Sequence, residues 1–126
     1  CIKDSDTSTK NHEKNDTLCT VATRAIGLNF ADVFCLLGLY TAANQVRGSA
    51  AFCPGLEYSG VVVDDPTGTY IPGQRVLGFT RFGAFSDIVQ VPPHYLYPLP
   101  DRWTFVQGAG FLVQALTAWH GLVQVG

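Results

Sequence analysis

The sequence predicts a mainly β domain with a few helices, built as a small barrel or sandwich and ending in a helix. Two observations carry this fold class. Short apolar runs between residues 18 and 91 are separated by turn-forming Pro, Gly and Asp at roughly ten-residue intervals, which is typical of small antiparallel sheets. After Pro92 and Pro93 the pattern changes, and apolar residues recur at helical spacing.

Several segments are predicted as strands because they combine apolar or β-branched residues with turn signals at their ends. The second segment contains Gly60, which indicates a β-bulge or a close approach of another backbone segment. Residues 41–53 lack any periodicity and are predicted as a loop. The predicted strands are residues 18–26, 57–63, 74–79 and 84–91.

A short buried helix is predicted after the first strand. Asn29 is a favourable N-cap, Asp32 can reach back to it as in a capping box, and Gly38 is suited to end the helix. Asn29 and Tyr40 would then stand at its two ends, where they either face one cleft or flank a capped connector. Its apolar face is predicted from residues at helical spacing: Phe30, Val33, Phe34 and Leu37.

The last part of the chain is predicted to contain an extended segment and then helices. Residues 92–103 are rich in proline, and the stretch around Leu96 is expected to have no free edge to pair. Thr104 and Gln107 form a second capping-box pattern. Residues 111–123 have the spacing of a helix.

Composition argues against some classes of partner. The net charge of −2 provides no basic stripe for a nucleic acid. The longest apolar run is shorter than the roughly 20 residues of a transmembrane helix. Residues 1–16 are charged and nearly devoid of apolar side chains, which predicts a disordered polar tail before a single domain at 17–126.

The cysteines and histidines do not form a recognisable metal or disulfide pattern. The four cysteines are far apart and include no C-x-x-C pair, which favours reduced thiols and a cytoplasmic location. Cys19 and Cys35 are expected to be buried as small apolar residues. His12, His94 and His120 each stand alone. No metal site is predicted.

Residue patterns alone do not reveal a catalytic apparatus. The chain has no G-x-G-x-x-G loop after a strand and no P-loop. Glu57 lies in a buried-looking strand, so its carboxylate must be hydrogen-bonded or paired, with Arg75 or Arg81 as candidate partners. A structural role for Glu57 is favoured over a catalytic one.

Four segments together resemble one enzyme family. They are G-L-N-F-A-D…G-L-Y at 27–40, P-G-L-E-Y-S-G at 54–60, P-G-Q-R-V-L-G at 72–78, and residues 82–126. In this order and spacing they resemble the zinc-independent medium-chain dehydrogenase/reductases of the quinone oxidoreductase type. The resemblance implies a GroES-like, partly open β-barrel, incomplete at both ends. It also implies that the final helix leads toward a Rossmann domain that binds NADPH and lies outside this chain.

The same resemblance implies that zinc is absent. Metal-dependent relatives have a cysteine at the position of Asn29 and a histidine at that of Leu56, and neither side chain here is a usual zinc ligand. The structural-zinc lobe also has no counterpart between Pro92 and Trp103.

The resemblance further implies the roles of individual residues. Positions matching Asn29, Phe30 and Thr117 lie near the nicotinamide, which makes them candidate cofactor-binding residues. The position matching Tyr40 lines the substrate pocket, which makes it the candidate catalytic residue. Hydride would pass from NADPH to a quinone or an α,β-unsaturated carbonyl. The Asn29 amide or the Tyr40 hydroxyl would then meet the charge developing on the acceptor oxygen.

Two other readings remain open at this point. The chain could be a GroES-like binding module without catalysis, or a homologue associated with membranes or vesicles. If the chain is part of an enzyme, it is expected to be a fragment that is inactive by itself. The full-length protein is expected to form a homodimer as one possibility.

Overall fold

The computed structural model describes residues 17–40 and 53–126. The predicted tail at 1–16 and the predicted loop, except Cys53, lie outside the described residues. The described elements are β1 Cys19–Ile26, α1 Phe30–Leu36, β2 Glu57–Asp64, β3 Arg75–Phe79, β4 Ile88–Val91, a 3-10 turn at Pro93–Tyr95, β5 Leu96–Pro98, α2 Phe105–Ala109, α3 Leu112–Trp119 and a π-helical turn at His120–Gln124.

The strands form one open antiparallel sheet in the order β4-β1-β2-β3-β5. The predicted class, mainly β with a few helices, is therefore confirmed. The close approach predicted at Gly60 is also confirmed, because a Cβ there would lie 2.2 Å from the carbonyl oxygen of Ala22 on β1. Only glycine lets the two central strands pair at this point.

Side-chain alternation on β2 sorts residues between the two faces of the sheet. Tyr58 and Val62 are buried in a cluster to which all five strands contribute. Glu57 and Ser59 belong to the opposite face, where the Ser59 hydroxyl donates to the carbonyl of Phe105 on α2. That second face is the one covered by helices.

Two strand predictions need correction. The stretch at Leu96 was expected to be unpaired, yet β5 pairs with β3, with Leu96 opposite Gly78. Pro98 lacks an N–H, but β5 is an edge strand, where a missing donor is tolerated. The predicted strand at 84–91 begins only at Ile88, because the backbone N–H groups of Ala84 and Phe85 donate to the loop at 54–55 instead.

The helical predictions at the end of the chain hold with different limits. Thr104 caps α2, its hydroxyl accepts from the N–H of Gln107, and the Gln107 side chain accepts from the N–H of Thr104, so this capping box is confirmed. The helix expected at 111–123 is divided into α3 and the π-helical turn. No helix of the described residues is long and apolar enough to cross a membrane.

The cysteines follow the sequence expectation only in part. Cys19 and Cys35 are buried, as predicted. Cys53 is disulfide-bonded, so the expectation of reduced thiols is wrong at this position.

Candidate functional site

Helix α1 is oriented in a way that its sequence pattern did not predict. Its predicted apolar face is the exposed one: Phe30 is 82% exposed and Leu37 66%. The residues that it buries are Asp32 and Cys35. The prediction of a buried apolar face is therefore wrong, and the cause is the Asp32 side chain.

Asp32 binds α1 to the segment before β2. One carboxylate oxygen accepts from the backbone N–H of Asn29 at 2.9 Å, as predicted for a capping box. The other accepts from the backbone N–H of Gly55 at 3.0 Å. Because a buried carboxylate must keep these donors, Asp32 turns inward and the apolar stripe turns outward.

Glu57 is the second buried carboxylate of this region and is fully inaccessible to solvent. Its Oε1 accepts from Nδ2 of Asn29, and its Oε2 accepts from the backbone N–H of Val113, both at 3.0 Å. The expectation of pairing with Arg75 or Arg81 is wrong. Arg75 lies opposite Val61, four residues along β2, and binds the carbonyl oxygens of Asp101 and Trp103.

Gly27 makes the burial of Glu57 possible. A Cβ at Gly27 would lie 2.4 Å from the carbonyl oxygen of Ala109 and 2.6 Å from Oε1 of Glu57. The backbone N–H of Gly27 also donates to the carbonyl of Glu57 at 3.0 Å. The ends of β1 and α2 and the Glu57 side chain can meet only because this residue has no side chain.

Asn29 and Asp32 have the predicted capping-box arrangement at the start of α1, where the backbone N–H of Asp32 donates to the backbone carbonyl of Asn29 at 3.0 Å. The Asn29 side chain also makes hydrogen bonds across the site. Its Nδ2 donates to Glu57, and its Oδ1 accepts from Nε2 of Gln114 at 3.3 Å. Sequence reasoning missed Gln114 and Val113, and the only signal for them is that they precede Thr117 by three and four residues on the same helix.

A cleft of about 520 Å³ opens between α1 and α3. Three predicted cofactor-binding residues, Asn29, Phe30 and Thr117, line it together. Leu56, Val113 and Gln114 also contribute to its lining.

Tyr40 is not among the residues that line this cleft. Its ring packs edge-on against Phe82, with centroids 6.3 Å apart, and the residue is 40% exposed. The structure therefore brings the three candidate cofactor residues together and leaves Tyr40 beyond the C-terminal end of α1.

The lining suits one end of a nicotinamide cofactor. It offers a carboxamide, a hydroxyl and an exposed aromatic ring, which match a flat neutral ring that carries an amide. It contains no Lys or Arg for a pyrophosphate. The described residues contain no group of three or more His, Cys, Asp or Glu able to hold a metal ion.

No protein-family model matches the chain. Among curated proteins, the mouse synaptic vesicle membrane protein VAT-1 homolog is 35% identical over 109 residues, which are 85% of this chain and 26% of that protein. The spectinabilin polyketide synthase system protein NorB of Streptomyces orinoci is 36% identical over 108 residues, 83% of this chain but 4% of that protein. The chain thus spans about a quarter of the VAT-1 homolog.

Solved structures share the fold. Human VAT-1 homolog-like protein superimposes with a TM-score of 0.78 at 29% identity, over 87% of this chain and 35% of that one. Escherichia coli quinone oxidoreductase, complexed with NADPH, gives 0.76 at 26% identity, over 87% and 33%. Pseudomonas syringae pv. tomato quinone oxidoreductase gives 0.77 at 29%, over 94% and 36%. The chain is therefore a homologue of the VAT-1 homologs and quinone oxidoreductases and has the GroES-like fold of the medium-chain dehydrogenase/reductase family.

Proposed function

We propose that this chain is the GroES-like part of a zinc-free, NADPH-dependent oxidoreductase that transfers hydride to a quinone or an α,β-unsaturated carbonyl. The observation that carries the proposal is the cleft in which Asn29, Phe30 and Thr117 meet. The homology to quinone oxidoreductases, one of them solved with NADPH, supports the same reaction class.

The chain's own residues would hold only the nicotinamide end of NADPH. Asn29 and Thr117 would bind its polar groups, and the exposed ring of Phe30 would cover one face. The sequence has no glycine-rich phosphate loop, so we propose that a following Rossmann domain binds the rest of the cofactor. One wall of a site offers a few contacts against a large entropic cost, which gives roughly millimolar affinity at best for this chain alone.

The chemistry of the cleft supports catalysis without zinc. The resemblance implies that Asn29 and Leu56 stand at the positions where metal-dependent relatives place ligands, and both residues line the cleft. Leu56 has no atom that could bind a metal, and the Asn29 amide is hydrogen-bonded to Glu57 and Gln114. Neither residue resembles the thiolate and imidazole that zinc prefers.

The exposed face of α1 gives the acceptor a surface to bind. The rings of Phe30 and Phe34 are stacked, with centroids 6.5 Å apart, and both are solvent-exposed. A flat quinone could lie on the Phe34 side of this pair, between the cleft and Tyr40, since the seven residues of α1 span only about 10 Å. NADPH, when bound, supplies the hydride. The Tyr40 hydroxyl would donate to the acceptor oxygen as negative charge develops there.

The test is NADPH oxidation with a 1,4-quinone, measured on the 126-residue chain and on the whole protein with its nucleotide-binding domain. We expect turnover by the whole protein and none by the chain alone, because one wall cannot hold the cofactor. Absence of turnover in a folded whole protein that binds NADPH would refute the proposed reaction.

Tyr40→Phe in the whole protein tests the catalytic role. We expect kcat to fall by about tenfold or more with little change in the Kd for NADPH, because the hydroxyl acts only in the transition state. Tyr97→Phe is the matched control, since Tyr97 is similarly exposed, at 43% against 40%, but lies on β5. An unchanged kcat in Tyr40→Phe would assign Tyr40 to packing against Phe82.

A binding module is the second candidate, and the exposed apolar face of α1 favours it. Residues 28–40 expose several large side chains, among them Leu28 at 77% and Leu39 at 68%. The name of the mouse relative refers to a synaptic vesicle membrane. Co-sedimentation with lipid vesicles by a protein that cannot oxidise NADPH would support this alternative and the membrane-associated reading.

Two further properties of the whole protein are proposals. A cytoplasmic location suits a small-molecule reductase that uses NADPH. A homodimer would form mainly through the domain outside this chain. Cell fractionation and light scattering of the whole protein would test them.

A further inference from the structure

The Glu57 side chain is the acceptor in both of its hydrogen bonds. Its carboxylate accepts from the backbone N–H of Val113 on one oxygen and from the Asn29 amide on the other, each at 3.0 Å. A carboxylate has only acceptor sites, so the groups facing it must be donors. The Asn29 amide is therefore obliged to turn its nitrogen end toward Glu57.

The oxygen end of the amide faces the opening of the cleft. Oδ1 of Asn29 accepts from Nε2 of Gln114 at 3.3 Å, and Gln114 is exposed on α3, whereas Glu57 is fully buried. A carbonyl oxygen has two lone pairs, and Gln114 uses one of them. The second is free to accept from a ligand in the cleft.

We propose that Glu57 is a positioning residue that orients the Asn29 amide so that the cleft presents a hydrogen-bond acceptor to its ligand. This rests on the proposed function and refines it: Asn29 selects a ligand N–H or O–H donor, such as the carboxamide NH₂ of the nicotinamide. It also removes Asn29 from the role of donor to the acceptor oxygen, which falls to Tyr40.

A pair of substitutions reverses the direction of the chain of hydrogen bonds. In Glu57→Gln, the new amide must keep its oxygen on the N–H of Val113, so its nitrogen faces Asn29. Asn29 then rotates its amide in order to accept. Adding Gln114→Glu gives the rotated nitrogen a carboxylate to bind. The double variant keeps the net charge and every hydrogen bond, with the Asn29 nitrogen now at the opening.

The first measurement needs no cofactor. Solvent exchange of the Asn29 side-chain NH₂, followed by ¹⁵N NMR in the whole protein, should be slow because this group donates to a buried carboxylate. In the double variant it should be about tenfold faster or more, because the group now lies at the opening. Equal exchange in the two proteins would overturn the inference.

Gln114→Glu alone is a variant that changes only an exposed side chain and should fold. It places a carboxylate opposite Oδ1 of Asn29. If Glu57 fixes the amide, slow exchange persists in this variant. If exchange rises as in the double variant, the amide follows whichever carboxylate is near and Glu57 is not its determinant.

The second measurement compares the Kd of NADPH with that of its 3-acetylpyridine analogue, in which a methyl group replaces the carboxamide NH₂. The unmodified protein should bind the analogue about five- to tenfold more weakly, the value of one hydrogen bond. In the double variant the ratio should fall below about twofold, because the Asn29 nitrogen can donate to the carbonyl of either ligand. A retained ratio would overturn the inference.

Gln107→Glu is the control for the negative charge that Gln114→Glu adds, because Gln107 is an exposed glutamine on α2 that binds Thr104 and not Asn29. It should keep the ratio of the unmodified protein. Failure of the unmodified protein to bind NADPH would count against the proposed function. The exchange measurement would still decide the orientation of Asn29.

Discussion

The starts of α1 and α2 carry the same local pattern but use it differently. At α2 the Thr104 hydroxyl and the Gln107 side chain accept from each other's backbone N–H groups. At α1 Asn29 and Asp32 have the same capping-box arrangement, but the Asn29 side chain also binds Glu57 and Gln114. Asn29 therefore connects its helix start to two other parts of the molecule.

The two helix starts differ in what the first side chain binds beyond its own helix. A cap contributes about 1 kcal/mol to stability. The Asn29 side chain in addition donates to a fully buried carboxylate, which needs hydrogen-bond donors. The placement of Asn29 is therefore fixed by Glu57 and Gln114 as well as by α1.

Substitution of Gly27 should have the largest effect on stability, because a side chain there would push the end of β1 away from Glu57 and from the end of α2. In Gly27→Ala the new Cβ would lie 2.4 Å from a backbone oxygen, which cannot be relieved by side-chain motion. We expect a loss of about 3 to 5 kcal/mol in the free energy of unfolding, measured with urea. Gly121→Ala is the control, since nothing lies within 4 Å of its Cβ position. A loss below 1 kcal/mol for Gly27→Ala, on the order of a surface substitution, would contradict the close packing.

Truncation of the Asn29 side chain should have the next largest effect, because that side chain also binds Glu57. Asn29→Ala leaves Oε1 of Glu57 without its donor. We expect a loss of about 2 kcal/mol, the cost of a buried acceptor without a partner. Chemical denaturation measures it. A loss equal to that of a simple cap would mean that water replaces the Asn29 amide.

Cys19 is buried on the opposite face of the sheet, and its contribution to stability should depend on pH. Burial, with smaller contributions from Asp65 and Asp64, raises the pKa of the Cys19 thiol from 9.0 to about 11. The folded chain holds this proton more tightly, so the stabilisation is full below pH 9 and is lost as the pH rises through 11. We expect a decrease of order 1 to 2 kcal/mol over this range.

Cys19→Val is the control for this decrease, because it keeps an apolar side chain and removes the titrating group. Its free energy of unfolding should vary less between pH 9 and 11. Tyr58 also has a raised pKa, caused mainly by burial, so some alkaline loss remains. Identical pH profiles for the two proteins would show that Cys19 does not contribute.

Substitution of the ordinary cap should have the smallest effect. Thr104→Ala removes the hydroxyl that accepts from the N–H of Gln107. We expect a loss of about 1 kcal/mol in stability and no change in NADPH binding by the whole protein. Thermal unfolding and cofactor titration measure the two. A weakened Kd for NADPH would show that the two helix starts are coupled.

Much of the fold could be predicted from local sequence. Alternation and turn residues predicted β2 and β3 to within a residue at each end, and both capping patterns begin helices where expected. These features depend on neighbours in the chain, so local chemistry decides them. The resemblance to the medium-chain family was likewise carried by motifs, and the homologues confirm it.

Tertiary structure alone decided which face of α1 is buried and which residues form hydrogen bonds with the buried carboxylates. The apolar stripe of α1 predicted burial, but Asp32 faces inward because its donor, Gly55, comes from a distant segment. Glu57 binds Asn29 and Val113 and not an arginine, because antiparallel pairing places Phe79 opposite Glu57 and Arg75 four residues away. A buried carboxylate takes the donors that the fold brings within reach, and sequence spacing does not record that distance.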